Sequence, residues 1–252
     1  MPAPEKPALL YPGYTDIIDI SKYQGRPDFK KVKAAGFRGV VVKVSEGTNQ
    51  CDGSALYNLQ AARDADLYTM IYAFARPEQG HPDQQVAKMF DCAGDTMPHR
   101  SVMDLETTAS SWTPEQKVAF AEAFIEAALK WSILPPMLYT YPSFAKLMQP
   151  ALGNSVVLAQ CPLWIAHYMS TTSGWVPPLG FTPYIPKPFT TWAMHQYSGD
   201  GGFRVPGVAG DCDRNLFNGD EAALREFFGL PEATEEEASP IVHPAIESDP
   251  IV

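Results

Sequence analysis

The chain has 252 residues, 45% of them hydrophobic, so it is long enough to bury a sizeable core in one large domain or two small ones. Its formal net charge is −10, but residues 231–252 contribute six acids and no Lys or Arg. No basic stripe of the kind that nucleic-acid binding needs is present, so we expect no nucleic-acid partner. No stretch approaches the roughly 18 apolar residues of a membrane span, so we do not expect membrane insertion.

Apolar runs of strand length recur along the chain and predict eight strands. In order they span 16–20, 39–44, 68–74, 101–105, 136–141, 163–168, 190–197 and 212–216. Helical patterns separate the first six strands at 27–35, 54–65, 82–93, 113–130 and 142–148, and a last helix is predicted at 220–228. The helix at 113–130 is the clearest, because Thr113, Pro114 and Gln116 form a capping-box pattern at its start.

Alternating strands and helices predict a parallel sheet of the α/β class. Eight strands in about 215 residues favour an irregular TIM-like (β/α) barrel with about five β/α units plus three further strands, although an open doubly wound sheet is the alternative. We predict a barrel domain at 14–230, an N-terminal extension at 1–13 and an acidic, Pro-rich tail or linker at 231–252. The first residues lack a basic start followed by an apolar run, so no secretory signal is expected.

Metal and cofactor motifs are missing from the sequence. The cysteines at 51, 92, 161 and 212 are widely spaced without a Cys-x-x-Cys pair, and we predict buried free thiols. The histidines lack zinc-binding spacing, and the segment 211–222 fails the calcium-loop pattern at its sixth and twelfth positions. No Gly-rich phosphate loop or nucleophile elbow is present either. We therefore expect neither a metal nor a cofactor.

Carboxylates stand at the ends of several predicted strands. Asp104 and Glu106 are two positions apart, so on a strand both side chains project from the same face. Asp19 ends the first strand, Glu46 follows the second, and Asp213 lies in the last. Because the active site of a (β/α) barrel lies at the carboxyl ends of its strands, we expect these acids to share one rim.

Crowded carboxylates push their pKa values apart, so that one stays protonated and can act as an acid while another is charged. Aromatic residues accompany them on the later strands: Tyr72, Tyr139, Tyr141, Trp164, Tyr168, Trp192 and Tyr197. Paired acids flanked by rings suit glycoside cleavage, since its transition state resembles an oxocarbenium ion and sugars stack on aromatic faces. Taken singly, each acid could instead cap a loop, and each ring could simply pack in the core.

Six segments, in order along the chain, resemble motifs of glycoside hydrolase family 25, the Chalaropsis-type lysozymes found among phage endolysins and secreted microbial enzymes. The segments are IDISKYQG at 18–25, VKVSEGT at 42–48, YAFARP at 72–77, MDLE at 103–106, PLWIAHY at 162–168 and DRNLFNG at 213–219. The resemblance covers roughly 14–230 and implies a flattened barrel of five β/α units plus three strands.

The resemblance also implies a reaction, namely hydrolysis of the β-1,4 bond between N-acetylmuramic acid and N-acetylglucosamine in peptidoglycan, with net retention. Carried over by position, the general acid/base falls on Glu106, and Asp104 orients the acetamido group of the substrate, although direct attack by Asp104 stays open. Asp19 and Asp213 fall on the supporting carboxylates. A barrel that only binds wall glycans, or a hydrolase of a related polymer such as chitin, are the alternatives.

Glycan contacts are implied for Tyr72, Tyr139, Trp164, Tyr168 and Gln196, and Lys43 and Glu46 are expected to pair at the rim of the groove or in a plain surface salt bridge. The first motif has Lys-Tyr at 22–23 where many members have His-Trp, and residue 73 is Ala where many have His, which affects substrate preference. We expect a monomer whose partner is the peptidoglycan glycan strand. A phage enzyme made in the host cytoplasm and released to the wall fits best, or a secreted one if a leader was trimmed.

Overall fold

The strands form one sheet that closes on itself. In chain order they are β1 (Thr15–Ile20), β2 (Gly39–Glu46), β3 (Gln50–Cys51), β4 (Tyr68–Phe74), β5 (Arg100–Asp104), β6 (Met137–Thr140), β7 (Leu163–Ala166), β8 (Met194–Ser198) and β9 (Asp213–Phe217). Neighbours follow the order β1-β9-β8-β7-β6-β5-β4-β2, and pairing of β1 with β2 closes an eight-stranded barrel. The short β3 only extends β2 as a hairpin. The predicted irregular (β/α) barrel is confirmed.

The computed structural model describes residues 13–96, 98–108, 111–132, 134–170, 175–178, 180–199 and 204–231. The predicted N-terminal extension, apart from Gly13, and the predicted acidic tail, apart from Pro231, lie outside the described residues. None of the helices within these ranges is long and apolar enough to cross a membrane.

Helices cover the outside of the barrel. They are α1 (Phe29–Ala34), α2 (Ala55–Asp64), α3 (Pro82–Ala93), α4 (Pro114–Ala128), α5 (Pro142–Leu147), α6 (Ala151–Asn154) and α7 (Glu221–Phe227). The six predicted helices are confirmed, and α6 was not predicted. At the start of α4, Thr113 accepts a hydrogen bond from the backbone of Gln116, whose side chain accepts one from the backbone of Thr113, which is the predicted capping box.

The barrel has apolar packing on both faces of its strands. Ile18, Val40 and Val42 face outward and pack with helical residues such as Phe124 in the larger core. The inward residues form a second cluster inside the barrel, which includes Ile17, Val41, Met70, Val102, Met137, Met194 and Phe217. Because side chains alternate along a strand, an inward apolar residue on one of the parallel strands is followed two positions later by another inward residue nearer the rim.

The prediction of a parallel sheet is wrong for the last barrel strand. β9 runs antiparallel to both β8 and β1, and Asp213, its first residue, lies opposite Asp19. The beginning of β9 therefore lies at the rim where the parallel strands end. Asp213 reaches the predicted rim for this reason, whereas a parallel β9 would have carried it to the opposite end of the barrel.

The prediction of four free cysteines is wrong for two of them. Cys51 and Cys92 form a disulfide with their Cα atoms 5.5 Å apart, while Cys161 and Cys212 are free and buried as expected. The pair was missed because β3, which carries Cys51, is only two residues long and leaves no pattern in the sequence. Only the packing of this hairpin against the end of α3 brings the two thiols together.

Candidate active site

Polar side chains replace apolar ones at the inward positions nearest the rim. Ile17 is followed by Asp19, Val41 by Lys43 and Val102 by Asp104, each two residues further along its strand. The apolar residues close the floor of the barrel, and the polar ones line a cleft of about 200 Å³ above it. The carboxyl ends of different strands thus form one site, as the topology requires.

The cleft collects most of the residues predicted for the site. Its walls are Asp19, Ser21, Tyr23, Lys43, Tyr72, Phe74, Asp104, Glu106, Tyr139, Trp164, Gln196 and Asp213. Two predicted residues adjoin the cleft through hydrogen bonds instead: Glu46 binds Lys43, and Tyr168 binds Gln196. Sequence reasoning missed Ser21, Tyr23 and Phe74 as wall residues, although Phe74 stands two positions after Tyr72 and shares its face.

Asp104 and Glu106 occupy the end of β5 and the turn beyond it. Asp104 is buried, and none of the described residues hydrogen-bonds its Oδ1 atom. Burial, and then the neighbouring charge of Glu106, hold the pKa of Asp104 well above its ordinary value, while the ammonium of Lys43 opposes the shift. Burial also raises the pKa of Glu106, again against the pull of Lys43, so this pair holds a proton more readily than a free carboxyl would.

Asp19 is held by two amides. Gln196 donates from Nε2 at 2.9 Å and Asn215 from Nδ2 at 2.8 Å, both to Oδ2 of Asp19. Asp213 shares a further hydrogen bond with it, so these two carboxyls can hold a proton between them. Burial raises the pKa of Asp19, and the three hydrogen bonds partly offset that rise because they favour the charged form.

Aromatic residues orient the two amides. The hydroxyls of Tyr139 and Tyr168 donate to Oε1 of Gln196 at 2.9 and 2.5 Å. The indole of Trp164 donates to Oδ1 of Asn215 at 2.8 Å. Because these donors occupy the amide oxygens, the amide nitrogens must face Asp19, which decides their orientation. Asn215 was not predicted, although it stands two positions after Asp213 on the same face of β9.

The phenol groups in the cleft stay protonated. Burial, followed by the charges of Asp19 and Asp104, raises the pKa of Tyr72 well above its ordinary value, and burial does the same for Tyr139. Trp164 meets Tyr139 edge to face, with ring centroids 4.6 Å apart. The cleft therefore offers two carboxyl pairs next to neutral rings and hydroxyls, an arrangement suited to proton transfer on a carbohydrate.

A metal centre is not suggested by the potential ligands within the described ranges. The single group of at least three such side chains is Cys51, Asp91 and Cys92, and its two sulfurs are bonded to each other. This group also lies outside the cleft.

Comparison with known proteins identifies the class. Residues 18–208 match the model of glycosyl hydrolases family 25. The chain is 29% identical to Lysozyme M1 of Streptomyces globisporus over 82% of this chain and 69% of that protein. It is also 29% identical to N,O-diacetylmuramidase of a Chalaropsis species, over 66% of this chain and 83% of that protein.

Solved structures agree with this likeness. A bacterial lysozyme from Streptomyces coelicolor superimposes with a TM-score of 0.72 at 29% identity, over 84% of this chain and 96% of that one. A family GH25 lysozyme from Aspergillus fumigatus superimposes with a TM-score of 0.68 at 26% identity, over 85% of this chain and 98% of that one. The protein is thus a glycoside hydrolase built on an irregular (β/α) barrel. It belongs to glycosyl hydrolases family 25, as the sequence motifs indicated.

Proposed function

We propose that this chain is a lysozyme, an N-acetylmuramidase that hydrolyses the β-1,4 bond between N-acetylmuramic acid and N-acetylglucosamine in bacterial peptidoglycan. Membership of family 25 and the relatives named as lysozyme and muramidase support the substrate class. The single observation that carries the proposal is that Asp104 and Glu106 face one cleft, each with a raised pKa, beside Asp19 and Asp213.

Glu106 is the general acid in this proposal. A carboxyl that protonates the glycosidic oxygen must carry its proton near neutral pH, and burial raises the pKa of Glu106 in that direction. After the leaving sugar departs, the resulting carboxylate takes a proton from water and so acts as the base of the second step. The side chain is half-buried, which leaves it open to substrate on one side.

Asp104 orients the acetamido group of the substrate. Its buried Oδ1 has no hydrogen-bond donor among the described residues, and an acetamido N–H is a donor of suitable size. Such a bond would favour the charged carboxylate and direct the acetamido oxygen at the anomeric carbon, with net retention. Direct attack by Asp104 is the competing mechanism. Trapping of a glycosyl–enzyme ester on Asp104 in the Glu106→Gln variant would identify it, with a substrate whose activated leaving group needs no proton donor.

The remaining wall residues bind the glycan. Tyr72, Tyr139 and Trp164 offer rings and donors, and sugars stack well on such faces. Gln196 and Tyr168 complete the wall around Asp19, whose negative charge, shared with Asp213, would stabilise the developing oxocarbenium ion. Lys43, which also lines the cleft, and Glu46, paired with it, stay predicted as substrate-binding residues.

The test is Glu106→Gln with purified peptidoglycan. The wild-type protein should release reducing ends, and mass spectrometry should find muramic acid at those ends. The variant should fold normally and lose at least about 100-fold in rate, because it lacks the proton donor. The matched control is Glu115→Gln on the exposed start of α4, which should keep wild-type activity.

The alternatives give other results. A wild-type protein that binds peptidoglycan but releases no reducing ends would be a binding barrel, and release from chitin in preference to peptidoglycan would reassign the substrate. A Glu106→Gln variant that keeps most of its activity would refute the assigned role. Action at the bacterial wall follows from the proposed substrate, whereas a phage origin, release from a host cytoplasm and a monomeric state stay predictions.

A further inference from the structure

Glu46 is shared between two cations beside the cleft. Its Oε2 accepts a hydrogen bond from Nζ of Lys43 at 2.8 Å, and its Oε1 accepts one from Nε of Arg76 at 2.9 Å. A second guanidinium nitrogen of Arg76 also contacts Oε1. The side chains are 17% exposed for Lys43, 22% for Glu46 and 31% for Arg76, so solvent screens this group only partly.

Phe74 joins the same two cations from the cleft side. The ammonium of Lys43 lies 4.7 Å from the centre of its ring, and the guanidinium carbon of Arg76 lies 4.6 Å from it. Both distances are within the range of cation–π attraction. We call Lys43, Glu46, Phe74 and Arg76 the cation cluster. It carries two positive charges and one negative charge, and the partly exposed carboxylate of Glu78 lies 3.8 Å from another nitrogen of Arg76 at its edge.

The backbone of Arg76 is clamped from α3. The amide of Gln85, which is buried, accepts from the backbone N–H of Arg76 at 3.0 Å and donates to its carbonyl at 2.8 Å. The same amide nitrogen donates to the carbonyl of Gly80 at 2.8 Å. These bonds fix the backbone at position 76, and with it the point from which the guanidinium group reaches Glu46.

The disulfide braces the two elements that meet in the cation cluster. Cys51 lies on β3, which pairs with the end of β2 and places Gln50 opposite Glu46. Cys92 lies near the end of α3, the helix that also supplies Gln85. The disulfide therefore joins the β2–β3 hairpin, whose first strand carries Lys43 and Glu46, to the helix that clamps Arg76.

We propose that Arg76 is a positioning residue of the active site: by holding Glu46 and Phe74 it fixes the Lys43 ammonium beside Asp104 and Glu106. The inference rests on the proposed muramidase function for the roles of those two acids. It gives a role to Arg76 and Phe74, which lie in the YAFARP segment but had been assigned none. It also replaces the predicted substrate contact of Glu46 with the sharing of its charge between two cations. Glu46 is not among the residues that line the cleft.

Charged and titratable groups surround Asp104 and Glu106 on several elements, and the positive ones among them belong to the cation cluster. The groups are Asp19 from β1, Lys43 and Glu46 from β2, Tyr72 from β4, Arg76 beyond β4, Tyr139 from β6, Tyr141 and Tyr168 just beyond β6 and β7, and Asp213 from β9. Lys43 lowers the pKa of both acids, Arg76 lowers that of Glu106, and Glu46 raises that of Asp104. Removing Arg76 and removing the charge of Glu46 should therefore have opposite effects.

The expected shifts follow from the sign of each charge. Arg76→Gln removes a positive charge and leaves Glu46 to neutralise Lys43 alone, so the pKa values of both acids should rise. Glu46→Gln removes a negative charge, so both values should fall by a similar amount. In the pH profile of kcat/KM, both limbs should move to higher pH for Arg76→Gln and to lower pH for Glu46→Gln.

The experiment has two arms. The first measures kcat/KM on solubilised peptidoglycan from pH 3 to 9 for the wild type, Arg76→Gln, Arg76→Lys and Glu46→Gln. Arg76→Lys keeps the charge and should restore most of the pH profile but not the full rate, because an ammonium cannot contact Glu46 through two nitrogens. Lys130→Gln, which removes one positive charge from the exposed turn after α4, is the control and should shift neither limb.

The second arm titrates the carboxyl carbons by NMR without substrate, with the Glu106 resonance identified by its absence from Glu106→Gln. Opposite shifts of that resonance in Arg76→Gln and Glu46→Gln support the inference. Unchanged titration in Arg76→Gln overturns it, whatever the rate, since a merely structural role would lower activity or stability without moving the pKa. An inactive wild type would refute the proposed function, and this arm would still decide the role of Arg76.

Discussion

Replacing Asn215 with Ala should remove the support of Asp19 and destabilise the barrel. Asn215 is fully buried, and its two shortest hydrogen bonds, both 2.8 Å, join it to Oδ2 of Asp19 and to the indole of Trp164. A bond to a charged group contributes about 1.5–3 kcal/mol and a neutral one about 0.5–1.5 kcal/mol. Together they predict that the free energy of unfolding falls by about 2–4.5 kcal/mol.

Urea unfolding at pH 7, followed by tryptophan fluorescence, measures this loss. Asn218→Ala is the matched control, because Asn218 follows the same strand and its amide donates one hydrogen bond, 3.0 Å long, to the carbonyl of Trp192. That variant should lose only about 0.5–1.5 kcal/mol. If Asn215→Ala costs no more than Asn218→Ala, with equal denaturant slopes, the support assigned to Asn215 is wrong.

The loss at Asn215 should also depend on pH, with a sign that the Asp19 carboxyl determines. Burial raises the pKa of folded Asp19 above its ordinary 3.8, so its contribution to stability is fully present below that value and is lost as pH rises through the folded pKa. Without Asn215 the folded pKa rises further, because that hydrogen bond lowers it. The penalty of the substitution should therefore be larger at pH 7 than below pH 4.

Three further changes test other parts of the site. Asp104→Asn should lower the rate of reducing-end release at least about 100-fold while stability stays equal or rises, since a buried carboxyl with a free oxygen is costly; an unaffected rate would remove Asp104 from the mechanism. Joint replacement of Cys51 and Cys92 by Ser should lower the free energy of unfolding in urea by about 4 kcal/mol, the value for a closed loop of 41 residues, and equal stability would contradict this. Tyr139→Phe should cost about 1 kcal/mol in the same assay because Gln196 loses a donor, and no loss would show that bond to be dispensable.

The acid pair was predictable because its chemistry follows from local pattern. Asp104 and Glu106 are two residues apart at the end of a strand, and strand periodicity alone puts them on one face. The same period explains Tyr72 and Tyr139, which follow the inward residues Met70 and Met137 by two positions. Alternation did not suffice everywhere, since Phe74 and Asn215 follow Tyr72 and Asp213 by two positions and were still missed.

The partners of Asp19 could not be predicted in the same way. Gln196 and Asn215 lie 177 and 196 positions from it along the chain, and nothing in a single strand indicates which amide will face which carboxylate. The barrel brings them together because β1, β9 and β8 are neighbours, and that order is a property of the closed sheet. The contact of Arg76 with Glu46 could not be predicted for a similar reason, since Glu46 lies on the neighbouring strand β2.

The sequence by itself determined the helices and strands other than β3 and α6, and the acids at the strand ends, since capping residues and side-chain periodicity act over a few positions. Only the tertiary structure decided that β9 runs antiparallel, that Cys51 meets Cys92 and that Asp19 is held by two amides. These contacts join residues far apart in the chain, so their energy depends on barrel closure rather than on local pattern. Closure is also what gives the acid pair its buried surroundings, and with them its raised pKa values.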